Sequence, residues 1–350
     1  MTQPRTLRVA VGIGAVTDET TQYVLDAERL GADSVWVPEA WGYDALTPLA
    51  WLAARTTTIR LGSGIAQLGA RTPAMLAMSA MSLTALSGGR FLLGLGVSGP
   101  QVMEGWHGVR FASPLAVTRE TIEIVRSVAR GERLQHRGVA FEIPLPGEAG
   151  RPMRSMAPPV TVPIYLAALG PKNLALTGEV ADGWIGNAFM PETAAAFLDH
   201  LQAGAARAGR SMSDLDLLIP VALEITEDVA EAAGRHAAGY AFTIGAMGSE
   251  AQNFYNAAFS RQGYADDVRA VQRLWLDGKR EEAAARVPRD IGFRTNLLGP
   301  PDVIRQRLRL YRSVGVTTLQ VKSAGAGRDA LDSLAQLIDL VAEVNTETTV

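Results

Sequence analysis

The feature that most constrains this chain is a repeat of short apolar runs alternating with longer amphipathic ones. The apolar runs are Leu7–Gly14, Ser34–Val37, Ile59–Ile65, Phe91–Gly96, Ile164–Ala168, Gly183–Ile185, Leu215–Ile225 and Thr317–Lys322. Helical spacing fills the intervals: Thr20–Leu30, Thr47–Arg55, Pro73–Leu86, Pro114–Arg130, Lys172–Val180, Thr193–Ala208, Ala230–Ala246, Asp302–Val314 and Leu331–Val344. Strands that are apolar on both faces belong to a parallel sheet covered by helices. Eight such units in 350 residues predict an α/β fold, a (β/α)8 TIM barrel with insertions. The competing doubly wound sheet lacks support in the first turn, where Gly12-Ile-Gly14-Ala-Val-Thr17 has no third glycine for a dinucleotide fingerprint. No linker divides the chain, so residues 1–350 are expected to form one barrel domain, with insertions at about 131–160 and 249–290.

Composition narrows the chemistry. The formal net charge is −3, and such a balance argues against general nucleic-acid binding. Cysteine is absent, which excludes disulfides, thiolate metal sites and cysteine nucleophiles. The four histidines stand too far apart for a metal motif. The apolar run Val9–Val16 meets Asp18 and Glu19 with no small-residue cleavage pattern, so it reads as a strand rather than a signal peptide. The uncharged stretch Thr72–Gly89 contains Pro73, several hydroxyl residues and a closing Gly pair, and reads as a buried helix rather than a membrane span. A soluble, cytoplasmic protein acting on a small molecule is expected, with no nucleic-acid or membrane partner and no metal.

In such a barrel the active site lies where the strands end. The second run leads into Pro38-Glu39-Ala40-Trp41-Gly42-Tyr43-Asp44, a carboxylate beside two aromatics. Glu39 faces either a ligand or a neighbouring arginine. The third run contains Gly62-Ser-Gly64-Ile65, where glycine marks a bulge, close approach of a ligand, or tight barrel packing. The fourth leads into Gly94-Leu-Gly96-Val97-Ser98-Gly99-Pro-Gln-Val-Met-Glu104-Gly-Trp106-His107, a loop against which a flat ligand can lie. Helical geometry there would put Glu104 and His107 on one face. The fifth leads into Ala167-Ala168-Leu169-Gly170-Pro171, where a helix start offers free N–H groups to an anion. Arg294, before the Gly299-Pro-Pro301 turn, and Arg261 in the second insertion are the basic groups with reach.

These stretches together resemble the luciferase-like superfamily. Within it the chain is similar to oxidoreductases of the actinobacterial type that use the deazaflavin coenzyme F420, relatives of methylene-tetrahydromethanopterin reductase and F420-dependent glucose-6-phosphate dehydrogenase. The resemblance runs from about Leu7 to Lys322 and includes Asn253-Phe-Tyr-Asn256 in the second insertion. It implies a deazaflavin lying across the barrel top, on Glu39, Gly64, Ile65, Gly96, Val97, Ser98, Ala168, Leu169, Gly170 and Pro171. It implies a non-prolyl cis peptide at Gly64–Ile65, a phosphate at Leu169–Pro171, and Arg294 near the cofactor tail. Glu39, Glu104 and His107 are the candidates for proton transfer or ring contacts, and Trp41, Tyr43, Trp106 and Phe189 belong either to the substrate pocket or to the core. Family members often form dimers, so a homodimer is expected. Two positions depart from the sugar-phosphate dehydrogenases: Ala40 stands where they carry a histidine, and Pro100 where they carry a glutamate. Their reaction is therefore not expected. An FMN-dependent monooxygenase and a deazaflavin-binding barrel without turnover are the rival readings.

Overall fold

The computed structural model describes residues 5–147, 149–247, 253–322 and 327–347. Eight parallel strands form the centre: β1 (Arg8–Gly12), β2 (Ser34–Val37), β3 (Arg60–Ser63), β4 (Phe91–Gly96), β5 (Ile164–Ala167), β6 (Gly183–Ile185), β7 (Asp216–Glu224) and β8 (Thr318–Lys322). Each pairs with the next in chain order. β8 pairs with β1, matching Arg8 to Thr318 and Gly12 to Lys322, and so closes the barrel.

The period of two along each strand divides the core. Ala10, Trp36, Leu92, Tyr165, Ile185 and Leu218 point inward as one cluster. Their neighbours Val9, Val11, Val35, Val37, Leu93 and Leu166 point outward into the larger cluster beneath the helices. The Trp36 ring lies in the barrel interior and meets Tyr165 edge-on at 5.2 Å. Room for it comes from glycine. A Cβ at Gly62 would stand 2.4 Å from the indole, and one at Gly94 would stand 1.9 Å from the Ser63 carbonyl oxygen. Close packing, rather than a ligand, accounts for these two glycines. Gly94→Ala pushes against backbone on a paired strand and is expected to cost about 3 kcal/mol in urea unfolding.

Ion pairs seal the strands' N-terminal ends. Arg8 reaches Asp216 at 2.8 Å, the Tyr165 hydroxyl donates to Asp216 at 2.6 Å, and Arg60 pairs with Asp33.

Three expectations need revision. The third apolar run is not one strand to Ile65. β3 stops at Ser63, the Gly64–Ile65 peptide is cis, and Ala66–Gln67 resumes pairing with β4. Gly62 pairs with Leu92 and Ala66 with Leu95, so one extra residue is accommodated as a bulge. The helix Pro73–Leu86 is capped by Thr72, whose hydroxyl accepts from the Met75 N–H. It is not buried all round, since Met75, Met78 and Leu86 are more than half exposed on an uncharged face. The second insertion extends past 290, through helices Phe254–Phe259, Ala265–Leu276, Arg280–Arg286 and Arg289–Arg294. It packs Phe259, Val268, Val271 and Ile291 against Ala237, Ala241 and Ile244 of helix Val229–Ala246 as a satellite core.

In the first insertion His136–Arg137 pairs with Glu142–Ile143 as an antiparallel ribbon. Glu120 fixes its turn by accepting N–H bonds from Val139, Ala140 and Phe141, with His136 Nε2 at 3.2 Å. No helix is long and apolar enough to cross a membrane among the described residues.

Candidate active site at the barrel mouth

Glu39 leaves the end of β2 with a side chain only 6% exposed. Both its oxygens are taken by Arg71, at 2.8 and 2.7 Å in a two-pronged pair. The N–H groups of Gln67 and Ala45 add bonds of 3.0 and 3.1 Å. Burial alone would raise this pKa, but the guanidinium and the two backbone donors outweigh it and hold the carboxyl below its ordinary value. Asp44 lies 3.7 Å from the same Arg71 and caps helix Leu46–Ala53 through the Leu46 and Thr47 N–H groups.

The network continues inward through Gln67, which is 2% exposed. Its Nε2 donates to the Ala40 carbonyl at 2.8 Å and to the Glu39 carbonyl at 3.3 Å. Those two acceptors orient the amide, so Oε1 faces His107 Nε2 at 3.2 Å. A carbonyl oxygen only accepts, so Nε2 carries the proton and Nδ1 is left as the basic nitrogen of the neutral ring. Glu104 is turned elsewhere. It is exposed and accepts the Phe111 N–H at 3.0 Å, bracing the loop that carries His107. Of the three proton-transfer candidates, then, Glu39 and His107 are joined and Glu104 stands apart.

Beside this network lies the bulge. A Cβ at Gly96 would meet Ile65 Cδ1 at 2.8 Å, so the end of β4 and the cis peptide segment are in contact. Val97 is half-buried there, and Ser98 follows with a φ of +58°. Ala188, beyond β6, has a φ of +57°. Left-handed backbone is unfavourable for a residue with a Cβ, and two such residues fall on the same rim.

At the end of β5 the Trp184 Nε1 donates to the Ala168 carbonyl at 2.9 Å and fixes the strand's exit. Ala168 itself is buried. Helix Pro171–Val180 then begins at Gly170 with no side-chain cap, leaving its first-turn donors free. The space where a Gly170 Cβ would stand is open to 4 Å. Arg261 crosses from the second insertion, donates to the Leu169 carbonyl, and lies 5.8 Å above the Phe197 ring. Burial lowers its pKa, and its Nε is buried without a partner. A cationic group with a spare donor beside an uncapped helix start suits an anion such as a phosphate.

The other candidates fall as follows. Arg294 ends helix Arg289–Arg294 and is paired with Asp290 at 3.0 Å, while Arg261 is the arginine that meets Leu169. Trp41, Tyr43 and Trp106 are 52%, 78% and 64% exposed on the loops after β2 and β4. Phe189 is not a pocket wall. It is 1% exposed and packs with Trp184, Phe197 and Tyr311 in the core. Gln67 and Arg71 were not singled out from sequence. The available signal for Gln67 was a polar residue two positions beyond Ile65, where strand pairing resumes. Nothing local marks Arg71. Among the described residues, no cluster of acidic or histidine side chains has the spacing to hold a metal ion.

Comparison with known proteins agrees with this architecture. The family model for luciferase-like monooxygenases matches residues 3–318. A Mycobacterium tuberculosis protein named "Putative coenzyme F420-dependent oxidoreductase Rv3520c" is 40% identical over 326 residues, covering 91% of this chain and 93% of that protein. The 5,10-methylenetetrahydromethanopterin reductase of Archaeoglobus fulgidus is 28% identical over 326 residues, with 91% and 93% covered. Among solved structures, the coenzyme F420-dependent tetrahydromethanopterin reductase of Methanopyrus kandleri superposes with a TM-score of 0.77 at 22% identity, covering 97% of this chain and 99% of that one. The closed parallel barrel, the bulge after β3 and the match over most of its length place this chain in the luciferase-like monooxygenase family.

Proposed function

We propose that this chain is an F420-dependent oxidoreductase that transfers a hydride between the deazaflavin and a small organic substrate. The observation that carries the reading is the anion cradle at the end of β5, where the buried, unpartnered Arg261 Nε stands beside the uncapped helix start at Gly170. Its similarity to F420-dependent relatives supports the choice of cofactor. The coenzyme, when bound, supplies the hydride-carrying ring.

The chain's own residues do the rest. Gly170, the first-turn N–H groups after Pro171 and Arg261 hold the phosphate. Ile65, Gly96, Val97 and Ser98 form the surface behind the ring. His107 is the group that gives or takes a proton, through Nδ1. Glu39 stays ionised and positions Arg71 and Gln67 rather than moving a proton itself, because its oxygens are filled. Exposed Trp41, Tyr43 and Trp106 border the substrate's side. The protein works as a homodimer, a reading supported by the uncharged exposed face of helix Pro73–Leu86, and sedimentation should find twice the chain mass.

Titration with F420 and separately with FMN, followed by fluorescence, tests the cofactor. F420 should bind much more tightly. Arg261→Met should weaken F420 by about ten- to a hundredfold, the worth of one charge-assisted bond. Preference for FMN would move the chain to the oxygen-using branch, and tight F420 binding without hydride transfer to any of a panel of enones, alcohols and imines would make it a binding protein.

A further inference from the structure

We infer that Lys322 forms an anion-recognition point on the substrate side of the barrel mouth, so that the substrate carries a carboxylate or phosphate group. This rests on the reading above in taking the mouth as the place where substrate enters. The rim has two halves. The bulge, the His107 network and the phosphate cradle occupy the ends of β2 to β5. The ends of β6 to β8 line a separate cavity of about 300 Å³, whose wall includes Asn187, Pro220, Ala222, His236, Tyr240 and Lys322.

Lys322 is the last residue of β8, held in register between Gly12 of β1 and Ala222 of β7. Its backbone is therefore fixed on the rim, and its side chain is accessible through the cavity. The residue type is unusual for this chain, which has thirty arginines and only three lysines. Lys172 stands exposed in the first turn of helix Pro171–Val180, and Lys279 lies 3.8 Å from Glu282. Lys322 has no carboxylate within ion-pair distance among the described residues.

The acidic group in the strand beside it, Glu224, is already engaged by Arg235 and by His236 Nε2 at 3.0 Å. Surrounding protein lowers the Lys322 pKa, and no opposing charge offsets this. An ammonium held in this way gains from any anionic oxygen that enters. Three rotating donors on a flexible stem can meet one without the fixed fork that arginine imposes. Asn187 on the same wall supplies a neutral polar contact for the remainder of the ligand.

The scarcity of lysine makes the test direct. Reductive methylation with 13C-formaldehyde labels only Lys172, Lys279, Lys322 and the chain's terminal amine, and leaves the charge in place. The labelled cofactor-free protein is titrated with benzoate and with phenyl phosphate, and each lysine resonance is followed by NMR. The Lys322 signal, assigned by its loss in Lys322→Met, should move and saturate with at least one probe. The concentration needed should be at least tenfold below that affecting the exposed Lys279, since Lys172 adjoins the phosphate cradle and responds to phosphate on its own account. The responding probe shows whether the carboxylate or the phosphate form of the anion is preferred. By calorimetry Lys322→Met should weaken that probe at least tenfold, and Lys322→Arg should retain most of the affinity. A Lys322 signal unmoved by both probes, or moving in parallel with Lys279, overturns the inference. The measurement uses no F420, so a failed cofactor titration would sink the proposed function without touching this result.

Discussion

Replacing Arg71 by methionine should destabilise the protein by about 3–5 kcal/mol at neutral pH, because it strands the buried Glu39 carboxylate. The remaining donors, the Gln67 and Ala45 N–H groups, cannot replace a two-pronged guanidinium. The pH dependence carries the sign. In the wild type the folded-state pKa of Glu39 is depressed, so its contribution to stability is present above the unfolded carboxyl value of about 4.3. That contribution is lost as pH falls through the folded value. In the variant the burial effect acts without the guanidinium, the carboxyl pKa rises, and protonation relieves the penalty. Urea unfolding at pH 7 and at pH 4.5 should therefore show a wide gap between the two proteins that narrows in acid. The double variant Glu39→Gln with Arg71→Met removes the stranded charge and should recover part of the loss. A small gap would mean that the backbone donors alone hold Glu39, and a wide gap equal at both pH values would mean that the loss comes from Arg71 packing rather than from a stranded charge.

An arginine partner for Glu39 is one of two readings of the sequence, but that the partner is Arg71 could not be read from the chain in order. The barrel was legible because its physics is local. Ser34–Val37, Phe91–Gly96 and Gly183–Ile185 are apolar on both faces and coincide with observed strands. Helix Pro73–Leu86 is announced by Thr72 and Pro73, a capping hydroxyl and a residue that needs no N–H partner. What its residues could not tell is which face the fold leaves uncovered, since both faces are apolar.

The site is different because its contacts are long-range. Arg71 meets Glu39 across 32 positions and Arg261 meets Leu169 across 92. Spacing rules speak only of neighbours within a turn or a strand. A bulge is one of the alternatives the glycines of Gly62–Ile65 leave open, while the apolar run Ile59–Ile65 reads as a continuous strand, and the cis peptide comes from the resemblance alone. Phe189 shows how the rule that strand ends face ligand can mislead. β6 ends at Ile185, and Ala188 adopts a left-handed conformation. The chain is redirected, and the next ring lies 5.7 Å from Trp184 within the core.

His107→Phe is expected to lower the hydride-transfer rate by about 10²–10⁴-fold while leaving F420 affinity nearly unchanged. The ring it replaces is held through Nε2 by the Gln67 carbonyl oxygen, so a proton can be exchanged only at Nδ1. Single-turnover changes in F420 absorbance, with whichever enone, alcohol or imine reacts, report the step itself. An unchanged rate would remove His107 from the chemistry. Gln67 can be separated from it by a second variant. Gln67→Met keeps the volume but frees the ring to adopt either tautomer, so the rate should fall roughly tenfold, about 1.4 kcal/mol of transition-state stabilisation. With four histidines in the chain, long-range proton–nitrogen NMR resolves each ring. His107 should show the Nε2-protonated form in the wild type and a tautomer mixture in Gln67→Met. A rate loss without that mixture would mean that Gln67 serves the fold of the loop, and a mixture without a rate loss would mean that the proton passes elsewhere.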